Sequence, residues 1–85
     1  MYLHLGEQTV VNDRYIIGIF DIENTSVSKD TRDFLRAGDG AYTVVNVSYE
    51  MPKSFVVCSD GGKTTVYISQ ISAATLRKRL AARHY

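Results

Sequence analysis

The segment Tyr15–Ile22 is the feature that most limits how this chain can fold. Its apolar side chains leave almost no polar face: Ile16, Ile17, Ile19, Phe20 and Ile22. A strand that is apolar on both faces normally lies in the centre of a sheet or is covered by a neighbouring subunit. The chain has only 85 residues, and a small domain buries only about 60% of the surface that its unfolded form exposes. We therefore expect a single domain over residues 1–85 whose small core is reinforced by self-association.

Cysteine content and hydropathy indicate the compartment. Cys58 is the single cysteine, which excludes a disulfide within the chain and a cysteine-based metal site. The N-terminus has no basic stretch followed by a long apolar one, as a secretory signal would have. The longest nearly apolar run is Tyr15–Phe20, far shorter than the roughly 20 residues of a membrane span. These features predict a soluble, cytoplasmic protein.

Apolar periodicity and turn signals predict an α+β fold, with an antiparallel or mixed sheet of four to six short strands and two helices. Strands are expected over Tyr2–Leu5, Thr9–Val11, Tyr15–Ile22, Tyr42–Ser48, Ser54–Ser59 and Lys63–Ser69. The last two form a hairpin around Asp60-Gly61-Gly62. A first helix is expected over Lys29–Ala37, with Ser26 or Ser28 as its N-cap and Gly38 as its stop. A second is expected over Ala73–Arg83, with Ser72 as its N-cap.

No set of side chains predicts catalysis. His4 and His84 lie at opposite ends of the chain without metal-ligand spacing. Asp21 and Glu23 share one face of a strand, as an acid–base pair does, although Glu23 also suits a polar turn after a buried strand. Cys58 lies among valines, where cysteine behaves as a small hydrophobe. We expect neither an enzyme nor a bound metal or cofactor, and favour a structural or interface role for the two carboxylates.

Charge is distributed unevenly along the chain. The net charge is +1, but all nine acidic residues lie at or before Asp60. Residues 61–85 carry five basic residues and no acid: Lys63, Arg77, Lys78, Arg79 and Arg83. Such asymmetry suggests an interface role for the C-terminal segment. The alternative is a solvated basic helix end, because cations near a helix C-terminus complement its dipole.

Several blocks of sequence together resemble a known family. They are Met1-Tyr-Leu-His-Leu-Gly6, Gly18-Ile-Phe-Asp-Ile-Glu-Asn-Thr25, Pro52-Lys-Ser-Phe-Val-Val57, Thr65-Val-Tyr-Ile-Ser-Gln-Ile-Ser72 and Thr75-Leu-Arg-Lys-Arg79. Their order and spacing resemble the extracellular-matrix regulatory proteins RemA and RemB, and the RemB-like branch more closely. The resemblance runs from Met1 to about Arg79. It implies a cytoplasmic, non-enzymatic DNA-binding regulator of extracellular-matrix and biofilm genes that acts as a ring-shaped homo-oligomer.

The resemblance also implies where DNA is bound. Arginines of the strand-entry loop and of a basic loop before the hairpin would line the outer surface of the ring. Arg14 matches the first position, whereas the second loop reads Tyr49-Glu-Met-Pro-Lys53, with Lys53 as its only cation. Arg32 and Arg36, one helical turn apart, are further candidates for phosphate contacts. No element resembles a reader of the major groove, so we expect binding through the DNA backbone and shape.

Two functions of different classes remain open. The first is the DNA-binding ring, whose subunit contacts we place at Ile17, Ile19, Phe20, Asp21 and Glu23. The second is an oligomeric scaffold or modulator with weak or no DNA binding, which acts through a protein partner or a paralogue. The acid in the Tyr49–Lys53 loop and the near-neutral net charge favour the second. A ring repeats weak cationic patches around its circumference, so avidity would favour the first.

Overall fold

The computed structural model describes residues 1–22 and 42–82. The helix predicted over Lys29–Ala37 falls outside these residues, as does the predicted end of the second helix at Arg83. Four of the residues considered above lie outside them as well: Glu23, Arg32, Arg36 and His84.

Six strands and one α-helix make up the described residues. The strands are β1 (Tyr2–Gly6), β2 (Thr9–Asn12), β3 (Ile16–Asp21), β4 (Tyr42–Asn46), β5 (Ser54–Asp60) and β6 (Lys63–Ser69), and the helix is α1 (Ala73–Ala81). A 3₁₀ turn over Asp13–Tyr15 separates β2 from β3. The predicted small α+β arrangement with a mixed sheet is therefore present in the described part of the chain.

The strands form two separate sheets. β1 and β2 are an antiparallel pair, and the other four strands lie in the order β3-β5-β6-β4. β3 and β5 are antiparallel, as are β5 and β6, whereas β4 runs parallel to β6. Gly61 and Gly62 join β5 to β6 with φ angles of +56° and +87°. Positive φ at both residues is the geometry that two-residue hairpins require, which explains the glycines of the predicted turn.

The core lies between the larger sheet on one side and the β1–β2 hairpin and α1 on the other. Its buried side chains come from all three: Leu3, Leu5 and Val11 from the hairpin, Ile19, Val56 and Cys58 from the sheet, Val47 just after β4, and Ala73 and Leu76 from the helix. Leu80 lies four residues after Leu76 and packs against this cluster, so the two leucines form the inward face of α1. Ser72 caps the helix as predicted, since its Oγ accepts a hydrogen bond from the Thr75 amide at 3.1 Å.

β3 differs from the prediction at both of its ends. The 3₁₀ turn removes Tyr15 from the strand, and β3 stops at Asp21 instead of Ile22. It lies at one edge of the described sheet and not at its centre, so cover by a neighbouring subunit is the alternative that stays a prediction. A bulge between Ile16 and Gly18 shifts the register with β5. Because a bulge adds one residue to a strand, the side chains before and after it change faces. Ile17 is consequently 53% exposed, whereas Ile19 is 8% exposed and lies in the core.

Two buried serines hold the connection between β6 and α1. Ser54 and Ser69 are opposite each other on β5 and β6, and neither is exposed. The Ser54 hydroxyl donates to the Ile71 carbonyl at 2.7 Å. The Ser69 hydroxyl donates to the Leu5 carbonyl at 2.5 Å and accepts from the Ile71 amide at 3.0 Å. Ser69 therefore links β1, β6 and the segment that leads into the helix.

Two arginines of α1 reach the outer edges of two strands. Arg77 donates to the Ile19 carbonyl at 2.5 Å, and Arg79 donates to the His4 carbonyl at 3.2 Å. Both carbonyls point away from the neighbouring strand. The bond from the Ile22 amide to the Lys53 carbonyl shows that Ile19 directs its backbone groups away from β5. The bond from the Asp13 amide to the Met1 carbonyl shows the same for His4 and β2. α1 thus satisfies backbone groups of β3 and β1. No helix of the described residues is long and apolar enough to cross a membrane.

We predict that Ser69→Ala destabilises the protein by about 1–3 kcal/mol, because it leaves a buried carbonyl and a half-buried amide without their partner. The measurement is the free energy of unfolding from urea denaturation. Ser59→Ala on β5 is the matched control, since no hydrogen bond involves the Ser59 side chain in the described residues. Equal losses in the two variants would show that the Ser69 bonds contribute little.

Candidate nucleic-acid interface

Arg14 is held at the entrance of β3 by a short network of backbone contacts. The Asn12 side chain caps the 3₁₀ turn by accepting from the Arg14 amide at 3.1 Å. The Asp13 amide donates to the Met1 carbonyl at 2.9 Å, and the N-terminal ammonium lies 3.5 Å from the Asp13 carboxylate. The turn is therefore tied to the first residue of the chain, and the position of Arg14 is fixed relative to both sheets.

The Arg14 side chain is exposed and lies against an aromatic ring. Its guanidinium carbon is 5.7 Å from the centroid of the Tyr15 ring. Between described residues, the one ion pair is that of Met1 with Asp13, so no carboxylate of this part of the chain neutralises Arg14. A guanidinium that stacks on a ring keeps its donors available at its edge, and phosphate oxygens are suitable acceptors.

Lys53 and the loop before it lie at the end of β3 that is far from Arg14. The Lys53 carbonyl accepts from the Ile22 amide at 3.0 Å, and its own amide donates to the Ser69 carbonyl at 2.9 Å. Its side chain is exposed. Tyr49 is fully exposed and Met51 is 79% exposed, so the loop presents apolar surface beside its single cation and single acid.

Arg14 and Lys53 do not form one patch within a subunit. Arg14 precedes Ile16, which pairs with Cys58, and Lys53 precedes Ser54, which pairs with Asp21. The two cations therefore lie at opposite ends of β3, about 20 Å apart at roughly 3.3 Å per residue. They cannot bind the same phosphate.

A hollow of about 390 Å³ lies next to Tyr15 at the turn end of the β5–β6 hairpin. Its lining is rich in tyrosine and contains one cation and one acid: Tyr2, Val10, Val11, Asn12, Tyr15, Cys58, Asp60, Lys63, Thr65 and Tyr67. Lys63 was not among the residues predicted to bind DNA. Its pairing with Asp60 across the hairpin turn places it near Tyr15 and hence near Arg14. Only the three-dimensional fold brings these two cations to one end.

The thiol in this hollow is unreactive at neutral pH. Burial raises the pKa of Cys58 to about 11, because the thiolate is poorly solvated there. Burial also raises the pKa of Tyr67, with a smaller contribution from the charge of Cys58. A protonated thiol is a weak nucleophile. Within the described residues no group of three or more histidine, cysteine or carboxylate side chains could hold a metal ion.

The candidate subunit contacts fall on different sides of β3. Ile17 is exposed, whereas Ile19 is packed in the core of its own chain and offers no surface to another. Phe20 is half-buried on the opposite face and stacks on Phe55, with ring centroids 5.1 Å apart. A Cβ atom at Gly18 would lie 2.6 Å from the Phe20 ring, so this position has to be glycine for the ring to lie as it does. Asp21 is half-buried at the end of the strand.

The basic C-terminal segment is partly used within the fold. Arg77 and Arg79 bind backbone carbonyls of β3 and β1, as described above. Lys78 is exposed and lies between them. The asymmetry of charge seen in the sequence is therefore explained in part by the helix edge contacts. Sequence spacing could not reveal this, because the acceptors lie 58 and 75 residues away.

Comparison with known proteins identifies the family. The model of the family described as RemA-like, extracellular matrix regulatory protein A-like, matches residues 2–80. The chain belongs to the RemA-like family. It is 38% identical over 79 residues to extracellular matrix regulatory protein B of Bacillus subtilis (strain 168), covering 93% of this chain and 89% of the relative. This confirms the resemblance inferred from the sequence blocks, including the similarity to RemB, and the relative is named as a regulatory protein.

Proposed function

We propose that this member of the RemA-like family is a cytoplasmic, non-enzymatic regulator of extracellular-matrix genes that binds DNA as a homo-oligomeric ring. The observation that carries the proposal is the placement of Arg14. Its side chain is exposed, stacked on Tyr15 and without a carboxylate partner among the described residues, and Lys63 lies at the same end of the sheet. Lys53 adds a cation at the other end, and Arg32 and Arg36 are proposed to add phosphate contacts.

The proposed binding mode is electrostatic and depends on assembly. A protein that neutralises phosphates releases counterions, so each contact contributes about −0.9 to the slope of log K against log salt concentration. Among the described residues of one subunit, the cations of the candidate interface lie at two places separated by the length of β3. A ring repeats them at regular spacing, which raises affinity through avidity. DNA shape and backbone should therefore determine binding more than base sequence.

The scaffold function is the second candidate, and the Tyr49–Lys53 loop favours it. Glu50 places an acid beside Lys53, and the exposed Tyr49 and Met51 suit a protein partner better than a phosphate backbone. In this alternative the chain keeps its assembly and acts on a partner protein or a paralogue. The two functions make opposite predictions for DNA binding at low salt.

We expect Ile17→Lys to weaken self-association while the subunit stays folded, because the Ile17 side chain is exposed in the subunit and is proposed to lie at a ring contact. The measurement is the mass in solution by light scattering, with circular dichroism for the fold. Ile19→Lys is the comparison variant, and it should unfold the chain because it buries a charge in the core. An unchanged mass for Ile17→Lys would remove this residue from the interface.

We expect Arg14→Ala to weaken DNA binding for all sequences alike and to reduce the salt slope, since a backbone contact carries no sequence information. Binding is measured by fluorescence anisotropy on two unrelated duplexes across a range of salt concentrations. Lys78→Ala, which removes an exposed cation of α1 away from the proposed surface, is the matched control. Equal losses in both variants, or no binding by the wild type at low salt, would favour the scaffold function.

We expect the double substitution Glu50→Arg and Met51→Arg to strengthen DNA binding at least tenfold at moderate salt, or by about 1.4 kcal/mol, with a steeper salt slope. The change removes an acid that repels phosphates and restores the basic character of the family's loop. Pro52 is left in place because it restricts the approach of the chain to β5. Unchanged affinity and slope with an intact oligomer would show that this loop does not face DNA.

A further inference from the structure

Among the described residues, no hydrogen bond reaches the outer edge of β4, whereas a helix arginine binds one outer-edge carbonyl of each of β3 and β1. The Val47 amide donates to the Ile68 carbonyl at 2.9 Å, which fixes the alternation of the parallel β4–β6 ladder. Residues 43, 45 and 47 therefore direct their backbone groups to β6, and Tyr42, Val44 and Asn46 direct theirs outwards. No hydrogen bond reaches these outward groups in the part of the chain that the structure describes.

The sequence of β4 lacks the features that normally keep a sheet edge from pairing with another chain. Proteins normally protect a sheet edge with charged residues, proline, a bulge or a covering element, because an open edge pairs with other chains. Here Arg77 binds one outward carbonyl of β3, and Arg79 binds one outward carbonyl of β1. β4 has the sequence Tyr-Thr-Val-Val-Asn, without charge or proline, and Val44 is 48% exposed.

We propose that β4 pairs antiparallel with β4 of a second copy of this chain, about a two-fold axis at Val44. Only this register places all three outward-facing residues opposite outward-facing residues, with Tyr42 opposite Asn46 of the other copy and Val44 opposite Val44. It forms about six interchain hydrogen bonds, two for each such pair. It also brings the two exposed valines together, at roughly 5.5 Å between Cβ atoms, and opposes no like charges because the strand carries none.

A second copy of β4 fits this edge better than the other strands do. The carbonyls of Ile19 on β3 and His4 on β1 are already bound by arginines. β2 (Thr9–Asn12) has the sequence Thr-Val-Val-Asn, which is also that of the last four residues of β4, and Val10 is 53% exposed. However, the ladder with β1 directs only Val10 and Asn12 of β2 outwards, so β2 offers two outward-facing residues where β4 offers three. The longest open edge therefore pairs with itself.

This pairing deepens the self-association in the proposed function and rests on it to that extent, but it does not depend on DNA binding. A two-fold contact uses the same surface on both copies, whereas a ring closes through a head-to-tail contact between different surfaces. The two contacts can exist in one assembly. Loss of the two-fold contact would halve the mass of the assembly, whereas loss of the ring contact would not.

The test uses the full chain and two variants of opposite charge. Val44→Lys and Val44→Glu each place two like charges at the two-fold axis, so each should halve the mass measured by light scattering. Mixing the two variants in equal amounts should restore the mass of the wild type, because opposite charges then meet. Val10→Lys is the matched control, with the same neighbouring residues and a similar exposure, and should leave the mass unchanged.

Each other outcome contradicts the proposal in a distinct way. An unchanged mass for both Val44 variants while the wild type is an oligomer would exclude the β4 contact alone. Failure of the mixture to restore the mass would exclude the register centred on Val44, and an equal effect of Val10→Lys would exclude β4 as the partner strand. A wild type that is a 9.5 kDa monomer at tens of micromolar would exclude both this contact and the proposed assembly.

Amide hydrogen exchange of the wild type gives a test that does not depend on how the variants fold. In an isolated subunit the Val44 amide faces solvent, whereas the Val45 amide is bonded to β6. In the proposed pair, both amides are protected and exchange at rates within about tenfold of each other. An unprotected Val44 beside a protected Val45, measured by NMR at a concentration where the oligomer forms, would contradict the pairing.

Discussion

The position of the β1–β2 hairpin against the larger sheet depends on hydrogen bonds from side chains to backbone carbonyls. In the described residues no backbone ladder links the β1–β2 hairpin to the larger sheet. Ser69 binds the Leu5 carbonyl and Arg79 binds the His4 carbonyl, so consecutive residues of β1 are held by β6 and by α1. The apolar core supplies most of the driving force, but it does not fix direction. These few directional bonds determine how the hairpin lies on the core and therefore where Met1, and with it the turn that carries Arg14, is placed.

Local signals in the sequence predicted local structure well. The two glycines of the β5–β6 turn and the cap at Ser72 were predicted because each acts on backbone groups within a few residues. The position of β3 was left between the centre of a sheet and a place covered by a neighbouring subunit, because apolar side chains do not show what covers a strand. Its bulge was also missed, and with it the difference between Ile17 and Ile19, since hydrophobicity alone assigns both residues to a buried strand.

In the candidate site, too, local features could be predicted from the sequence, and contacts that depend on strand pairing could not. Arg14 was predicted from its place before the Ile-rich strand, through the family resemblance. Lys63 was not, because its closeness to Arg14 depends on the β3–β5–β6 pairing and not on sequence spacing. Arg77 and Arg79 show the reverse case. The charge asymmetry of the C-terminal segment suggested either an interface role or a solvated helix end, whereas both side chains bind backbone carbonyls of their own chain.

The described cations of the candidate interface lie too far apart for the fold of one subunit alone to account for the proposed DNA binding. Arg14 and Lys63 lie at one end of β3, and Lys53 lies at the other. How these groups are arranged towards a duplex is therefore set by how subunits are placed beside one another. A two-fold contact at β4 would turn neighbouring subunits in opposite directions along the strand, which brings the Arg14 end of one subunit to the side of the Lys53 end of the next. Such a contact joins two copies only, so each side of the pair would carry one Arg14 end and one Lys53 end, and the acid in the Tyr49–Lys53 loop would reduce the contribution of the Lys53 end.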